Sequence, residues 1–165
     1  MKKRPEVHIK KISASDRTWI KNFYQARWGA SWVVSKGVLH DVPSLPGFIA
    51  SDSGKQAGLL TYQIKDGELE IVTLDSLDEN IGIGSALITK AVETAELEGC
   101  YRVWLITTND NIPALRFYQK RGFRLVAIHL NALDNSRKLK PEIPQDGLDG
   151  IPLRDEIELE FKINQ

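Results

Sequence analysis

The chain has 165 residues, of which 42% are apolar and 27% are charged. We expect residues 1–165 to form a single globular domain, because this length and composition are not those of disordered, fibrous or membrane-spanning chains. Lysine plus arginine equals aspartate plus glutamate, at 22 each, so no overall positive field would attract a nucleic acid. One cysteine, Cys100, and the lack of an apolar run of about 20 residues favour a cytoplasmic protein without internal disulfides or a membrane span.

The first half of the chain is predicted to form a strand, a helix and an antiparallel meander. A short strand runs from Val7 to Ile12, and the helix that follows carries an apolar stripe from Trp19 to Arg27. Residues 32–34 are interpreted as a strand, followed by a loop with two prolines that reaches Gly47. Three strands separated by tight turns come next, at 48–51, 56–65 and 68–74.

The second half is predicted to alternate helices and strands. A helix opens at Gly84 and is ended by Gly99, and a nearly continuous apolar strand spans 103–107. A second helix over 112–121 stops at Gly122. Strands at 123–130 and 157–163 flank a proline- and glycine-rich excursion at 134–155. This order predicts an α/β fold with a mixed, mostly antiparallel sheet and helices on both faces.

A glycine turn separates the meander from the helix that follows. Residues 79–85 read Glu-Asn-Ile-Gly-Ile-Gly-Ser. Glycine lets the backbone approach a ligand closely, and the free N–H groups of a helix N-terminus attract anions, so the turn predicts a pyrophosphate site. It is not a dinucleotide fingerprint, because Leu87 stands where the third glycine belongs. It is not a P-loop either, because Gly84 is followed directly by Ser85.

A second motif lies at residues 111–123, which read Asn-Ile-Pro-Ala-Leu-Arg-Phe-Tyr-Gln-Lys-Arg-Gly-Phe. This stretch resembles the Asn-x-x-Ala-x-x-Phe/Tyr-Tyr-x-x-x-Gly-Phe motif of the GNAT acetyltransferase superfamily, and the glycine turn resembles its Gln/Arg-x-x-Gly-x-Gly/Ala motif. The two occur in the family's order, with one helix and one strand between them. The resemblance implies a GNAT-type sheet, with strands splayed at a cofactor cleft, and an acetyl-CoA-dependent N-acetyltransferase activity.

The resemblance also implies where acetyl-CoA would bind. Backbone groups of the glycine turn would hold the pyrophosphate, and main-chain groups at the end of the preceding strand would pair with the pantetheine arm. Asn111 would hydrogen-bond that arm, Phe117 would pack near it, and Tyr118 would face the sulfur. Arg121, at the end of the second motif, could meet a phosphate. The implied cofactor residues are Val72, Thr73, Leu74, Asn80, Ile81, Gly82, Ile83, Gly84, Ser85, Asn111, Phe117, Tyr118 and Arg121.

One position departs from the family pattern. Glu79 stands where the family usually has glutamine or arginine, and an acidic side chain beside a pyrophosphate is unfavourable unless it turns away. The connection at 75–80 is also about two residues shorter than the common pattern. The acidic side chain puts Glu79 itself in doubt as a ligand, though not the backbone site.

Acetyl transfer to an amine needs a neutral nucleophile, a polarised carbonyl and a proton for the departing thiolate. Tyr118 is the candidate acid, since its hydroxyl can donate to sulfur, and the alternative is a tyrosine that only packs. Glu70 is the candidate base, because some family members carry a catalytic glutamate on this strand. Alternation would turn Glu70 to the face of Val72 and Leu74. Asp75 is the second candidate, and each carboxylate could instead be an ordinary strand residue.

The acceptor is expected to be a primary amine of a small molecule or peptide, attacked directly in a ternary complex. A CoA-binding sensor or partner-binding domain without turnover is the alternative. Residues 28–47 and 134–155 are the expected acceptor walls, although the second segment could form a homodimer contact in a chain that is either monomeric or homodimeric.

The three histidines, His8, His40 and His129, are far apart in sequence and show no metal-ligand spacing, so we expect no metal. His40 and Asp41 are interpreted as a surface pair, and a role facing the acceptor is the alternative.

Overall fold

The computed structural model describes residues 6–77 and 82–164. In these residues the strands are β1 (Val7–Lys11), β2 (Trp32–Ser35), β3 (Val38–Asp41), β4 (Gly47–Asp52), β5 (Lys55–Lys65), β6 (Glu68–Ser76), β7 (Arg102–Thr108), β8 (Arg124–His129) and β9 (Glu156–Lys162). The α-helices are α1 (Arg17–Trp28), α2 (Ile83–Leu97), α3 (Ile112–Gln119) and α4 (Ala132–Leu139).

The main sheet has seven strands in the order β1-β4-β5-β6-β7-β9-β8. Neighbouring strands are antiparallel except β6 and β7, which run parallel and are joined through α2. A parallel pair needs such a crossover connection, because a tight turn can only reverse the chain. The mixed, mostly antiparallel sheet predicted from the sequence is confirmed.

Helices cover both faces of this sheet. α2 packs on the face that contains Leu60, through buried residues such as Leu87. α1 packs on the opposite face, where Ile20 and Tyr24 meet Leu59. Successive residues of a strand point to opposite faces, so Leu59 and Leu60 belong to different apolar clusters. The two sides are called the α1 face and the α2 face below.

Helix α2 forms where its apolar periodicity predicts it. Leu87, Ile88, Ala91 and Ala95 are buried and recur every three or four positions, which is the spacing of one helix face. Gly99, at φ 70°, takes the left-handed conformation that ends the helix. The next residue, Cys100, is buried as it enters β7, as expected of a small apolar side chain.

A β-hairpin occupies part of the segment predicted to be a loop. β2 and β3 pair antiparallel around Lys36 and Gly37, which both have positive φ, at 46° and 73°. A two-residue turn of this kind matches the twist of its strands. It also requires Lys36 to adopt the left-handed conformation, which residues with a side chain disfavour. The predicted strand at 32–34 is confirmed as β2, whereas the loop prediction was wrong for β3, since Lys-Gly lacks the Asn-Gly signature of such turns.

The excursion at 134–155 is also partly helical. α4 extends to Leu139, and its inward side carries Leu133 and Ser136, three residues apart and both buried. The prediction of an extended excursion was wrong for this first part, because the prolines at 141 and 144 lie after the end of the helix and do not interrupt it. Residues 140–155 then follow without a further α-helix or a named strand.

Candidate active site

The two parallel strands of the sheet separate along their length. β6 and β7 pair from Glu68 beside Arg102 to Ile71 beside Leu105. Beyond these residues β6 and β7 do not pair with each other in the described part of the chain, although β6 still pairs with β5 and β7 still pairs with β9. At residues 72–74, N–H and C=O groups on the edge of β6 that faces β7 are consequently available to a ligand.

A β-bulge at Val72 lies where the strands begin to separate. On β5, Thr61 pairs with Thr73 and the next residue, Tyr62, pairs with Ile71, so Val72 is an extra residue. A bulge bends its strand and interrupts the alternation of side chains.

The bulge changes the face on which Glu70 lies. Glu70 pairs with Gln63 and Asp75 with Leu59, and these two β5 residues share the α1 face because they are four positions apart. Leu74 instead packs with the cluster on the α2 face. The prediction that Glu70 shares a face with Leu74 was therefore wrong, since Glu70 lies on the same face as Asp75.

The N-terminus of α2 follows the glycine turn. Gly82 is left-handed at φ 83°, and the N–H groups of Ile83, Gly84 and Ser85 belong to the first helical turn, which has no intrahelical acceptors for them. Asn80 and Ile81, together with Glu79, lie outside the described residues. The helix start thus presents the positive end of its dipole beside the separated strands.

The backbone of Gly84 lies against the ring of Phe117. A Cβ at Gly84 would come within 2.9 Å of the Phe117 ring, so no other residue fits without a shift. The glycine is therefore required by packing between α2 and α3, and this requirement stands beside any role in binding an anion.

Arg121 brings a positive charge to the same place. Its Nε donates to Ser85 Oγ at 2.9 Å, and another guanidinium nitrogen donates to the Phe117 carbonyl at 2.8 Å. The guanidinium also lies 3.5 Å from the centre of the Phe117 ring. These contacts hold a permanent cation at the N-terminus of α2.

The other residues of the second motif start and pack α3. Asn111 caps the helix by accepting a hydrogen bond from the Ala114 N–H at 3.2 Å. Tyr118 is buried, with its ring edge-on to those of Phe117 and Phe123. Burial raises the pKa of the Tyr118 phenol, and the charge of Asp75 raises it further, so the hydroxyl keeps its proton at neutral pH.

A cavity of about 330 Å³ opens on the α1 side of β6. Its lining residues come from α1, β2, β6 and the segment after α4, and they are Tyr24, Trp28, Val33, Val72, Thr73, Leu74, Asp75, Lys140, Glu142, Ile143 and Pro144. Four consecutive residues of β6 thus border the cavity at the level where β6 has left β7.

Asp75 is the buried carboxylate of this cavity, with 6% of its surface exposed. Tyr24 donates a hydrogen bond to it, Trp28 Nε1 lies 3.4 Å from its other oxygen, and Arg27 lies 3.5 Å away. Burial raises the pKa of Asp75, although these donors and the Arg27 charge act in the opposite direction. A carboxylate of this kind accepts a proton more readily than an exposed aspartate.

Glu70 lies apart from the cavity lining. It is 3% exposed, and its two oxygens accept hydrogen bonds from Ser35 Oγ at 2.6 Å and Gln63 Nε2 at 2.8 Å. It also borders a smaller depression with Trp104 on the same face. The sequence analysis ranked Glu70 above Asp75 as the candidate base. The bulge at Val72 and the hydrogen-bond partners of Glu70 are what distinguish the surroundings of the two carboxylates.

The histidines do not gather at the site. His40 is buried in the inner surface of the hairpin, so its interpretation as a surface residue was wrong. Within residues 6–77 and 82–164, no three His, Cys, Asp or Glu side chains are arranged to hold a metal ion. In the same residues, no helix is long and apolar enough to cross a membrane.

Known proteins resemble this chain in sequence and fold. The acetyltransferase (GNAT) family model matches residues 14–123. The uncharacterized protein YxbD of Bacillus subtilis (strain 168) is 43% identical over 139 residues, 84% of this chain and 87% of YxbD. The uncharacterized protein YdhI of the same organism is 44% identical over 140 residues, again 84% of this chain and 87% of that protein.

A solved structure shares the fold. A GNAT family acetyltransferase from Elizabethkingia anophelis with acetyl-CoA bound superposes with a TM-score of 0.67 at 20% identity, over 95% of this chain and 98% of that one. The family model covers most of the chain, including both motifs, and the sequence relatives extend over a still larger part of it. The chain therefore belongs to the GNAT acetyltransferase family.

Proposed function

We propose that this enzyme transfers the acetyl group of acetyl-CoA to the primary amine of a small molecule or peptide by direct attack in a ternary complex. One observation carries the proposal: residues 72–74 border both the gap between β6 and β7 and the cavity of about 330 Å³. An acetyl group held in the gap would meet an amine held in the cavity, and no covalent enzyme intermediate would be needed.

The donor side fits acetyl-CoA by its free backbone groups and its charge. The edge of β6 beyond Ile71 offers N–H and C=O groups to the amides of the pantetheine arm. The N-terminus of α2 and the guanidinium of Arg121 supply positive charge for the pyrophosphate, with Asn80 and Ile81 completing the turn by family resemblance. Asn111 uses its side-chain oxygen as a helix cap, which leaves its amide nitrogen to donate to the arm.

Acetyl transfer would use groups on and beside β6. The amine nitrogen attacks the acetyl carbonyl carbon, the carbon–sulfur bond breaks, and an amide and CoA result. A backbone N–H near Val72 would stabilise the negative charge that develops on the carbonyl oxygen. Tyr118 would give its proton to the departing sulfur, a role supported by a pKa that keeps the phenol protonated.

Asp75 is the better supported of the two candidate bases. It lines the cavity, whereas Glu70 accepts hydrogen bonds from Ser35 and Gln63 outside it. The raised pKa of Asp75 suits a group that takes a proton from an ammonium or from water next to the amine. We therefore propose Asp75 as the base and retain Glu70 as the alternative to be tested.

Donor binding and turnover are tested on purified protein. Calorimetric titration with acetyl-CoA should show binding, and thiol release should accompany addition of an amine acceptor. Arg121→Gln should weaken acetyl-CoA binding about tenfold, because a charge-assisted bond to phosphate contributes about 1.5 kcal/mol or more. Arg116→Gln removes an exposed arginine from α3, the helix that precedes Arg121, and is the matched control, with an unchanged dissociation constant.

Two results would contradict the proposal. Absence of acetyl-CoA binding at millimolar concentration would show that the proposed donor site does not bind acetyl-CoA. Tight binding without thiol release across amines, amino sugars and peptide N-termini would favour the CoA-binding sensor instead.

A further inference from the structure

Most of the wall of the cavity beside Asp75 is apolar. Aromatic surface comes from Tyr24 and Trp28 on α1, and aliphatic surface comes from β2, β6 and the segment after α4. Such walls favour a ligand with little polar surface of its own, since polar groups of the ligand buried against them would lose their hydrogen bonds to water.

Charge in the cavity is confined to two places. Asp75 lies on β6 with its donors Tyr24 and Trp28, and the other two charged residues, Lys140 and Glu142, carry opposite signs on the segment after α4. An amine that meets Asp75 as an ammonium ion would gain a charge-assisted hydrogen bond and the face of Trp28. A second cation on the same ligand would find no other buried carboxylate in the lining, because Glu142 is exposed and the positive Lys140 lies on the same segment.

Residues 140–144, called the strap below, are fixed in place at both ends. Arg137, on α4, donates to the carbonyl oxygens of Ile143, Pro144 and Leu153, at 3.3, 2.8 and 2.6 Å. Lys140 Nζ donates to the carbonyl of Trp32 on the hairpin, at 3.1 Å. The strap is therefore held in a fixed position. Its apolar lining residues, Ile143 and Pro144, favour apolar ligand surface in the cavity.

We infer that the acceptor is a primary amine with a single positive charge and an apolar body, which contacts the strap through Ile143. This inference rests on the proposed acetyl transfer and names the acceptor class of the same site. The amine lies at the β6 end, toward the acetyl group, and the apolar body lies between α1 and the strap.

Pentylamine and 1,5-diaminopentane test the inference, because they share a skeleton and differ by one ammonium. Each is titrated into protein saturated with CoA, so that binding is measured without turnover, and each is then assayed with acetyl-CoA. We expect pentylamine to bind about tenfold more tightly than the diamine, since the second charge loses its hydration against apolar walls. Glucosamine, with its many hydroxyl groups, should bind more weakly than pentylamine.

Ile143→Asp and Gln145→Asp form a matched pair of variants. Both place a carboxylate on the same segment, but Ile143 lines the cavity, whereas Gln145 is exposed and absent from the lining. Ile143→Asp should weaken pentylamine binding and narrow or reverse the preference over the diamine, and Gln145→Asp should leave that preference unchanged. Acetyl-CoA affinity should stay constant in both variants, which also reports that they fold.

The outcomes separate this inference from the proposed function. Preferred binding and acetylation of 1,5-diaminopentane or glucosamine would overturn the acceptor class while leaving acetyl transfer intact. Equal effects of Ile143→Asp and Gln145→Asp would also overturn it. Selective pentylamine binding without acetylation would support the cavity's preference and count against the proposed function.

Discussion

The proposed donor side and the proposed acceptor side of this site are formed by different parts of the chain. The donor side consists mainly of backbone: the free edge of β6, the first turn of α2 and a glycine that a neighbouring ring requires. The acceptor side consists of side chains from α1, β2, β6 and the strap, which are distant in sequence. A backbone site needs glycines and helix starts at fixed spacing, so it leaves a motif, whereas a side-chain site assembled by the fold leaves none.

The largest expected effect comes from the buried carboxylate that faces the acceptor. Asp75→Asn keeps the shape and removes the proton acceptor, so the single-turnover rate should fall by about 10²- to 10⁴-fold with acetyl-CoA affinity unchanged. Glu70→Gln is the isosteric control and should change the rate little. A larger loss from Glu70→Gln than from Asp75→Asn would reverse the assignment of the base.

The pH dependence of the same rate is an independent test of Asp75 as the general base. A base must be unprotonated to act, so the rate should rise with pH as Asp75 loses its proton. Burial raises the pKa of Asp75 above its ordinary value of 3.8, and this limb should therefore lie above the range of exposed aspartates. The limb should be absent in Asp75→Asn, and a limb that persists there would belong to another group.

A smaller loss is expected on the donor side from Tyr118→Phe. Removal of the hydroxyl keeps the ring between Phe117 and Phe123 and deletes the proton donor to sulfur. The single-turnover rate should fall about 10²-fold, the lower end for a general acid, because a thiolate is a tolerable leaving group. Tyr62→Phe, which removes a hydroxyl from another ring of the same apolar cluster, is the control. An unchanged rate would make Tyr118 a packing residue.

The smallest effect is expected from the turn of the hairpin that carries Val33 into the cavity wall. Gly37→Ala and Gly54→Ala each place a side chain at positive φ, 73° and 82°, with open space around the Cβ. Each should lower the free energy of unfolding by about 1 kcal/mol. Only Gly37→Ala should also raise the acceptor KM, because Gly54 lies in the turn between β4 and β5. Equal acceptor kinetics would show that the hairpin does not shape the cavity.

The sequence predicted the sheet and the first three helices, because periodicity and glycine turns act locally. The residues that it named for the donor side stay a prediction. It missed β3, which follows the turn where Lys36 adopts a left-handed conformation, and α4, which precedes two prolines. It ranked Glu70 above Asp75, because no local pattern marks the bulge at Val72 that interrupts the alternation of side chains along β6. Residues 134–155 were predicted to border the acceptor site or a homodimer contact, and the attachment of the strap through Arg137 depends on carbonyl positions that only the fold defines.

Glycine at position 84 shows how packing and binding can require the same residue. Because a Cβ there meets the Phe117 ring, Gly84→Asp would disturb the contact between α2 and α3 as well as repel a pyrophosphate. Loss of acetyl-CoA binding in that variant would not distinguish the two causes. Arg121→Gln leaves the glycine contact in place and is the cleaner probe of the donor side.

The separation of β6 from β7 also has a consequence for the order of events. α2 packs on one face of the sheet and the cavity opens on the other, and residues 72–74 of β6 lie at the gap between the strands. Donor and acceptor would enter from opposite sides and meet only at residues 72–74. Neither ligand obstructs the route of the other, and steady-state kinetics should follow a random-order sequential pattern, with each product free to leave by the side from which its precursor came.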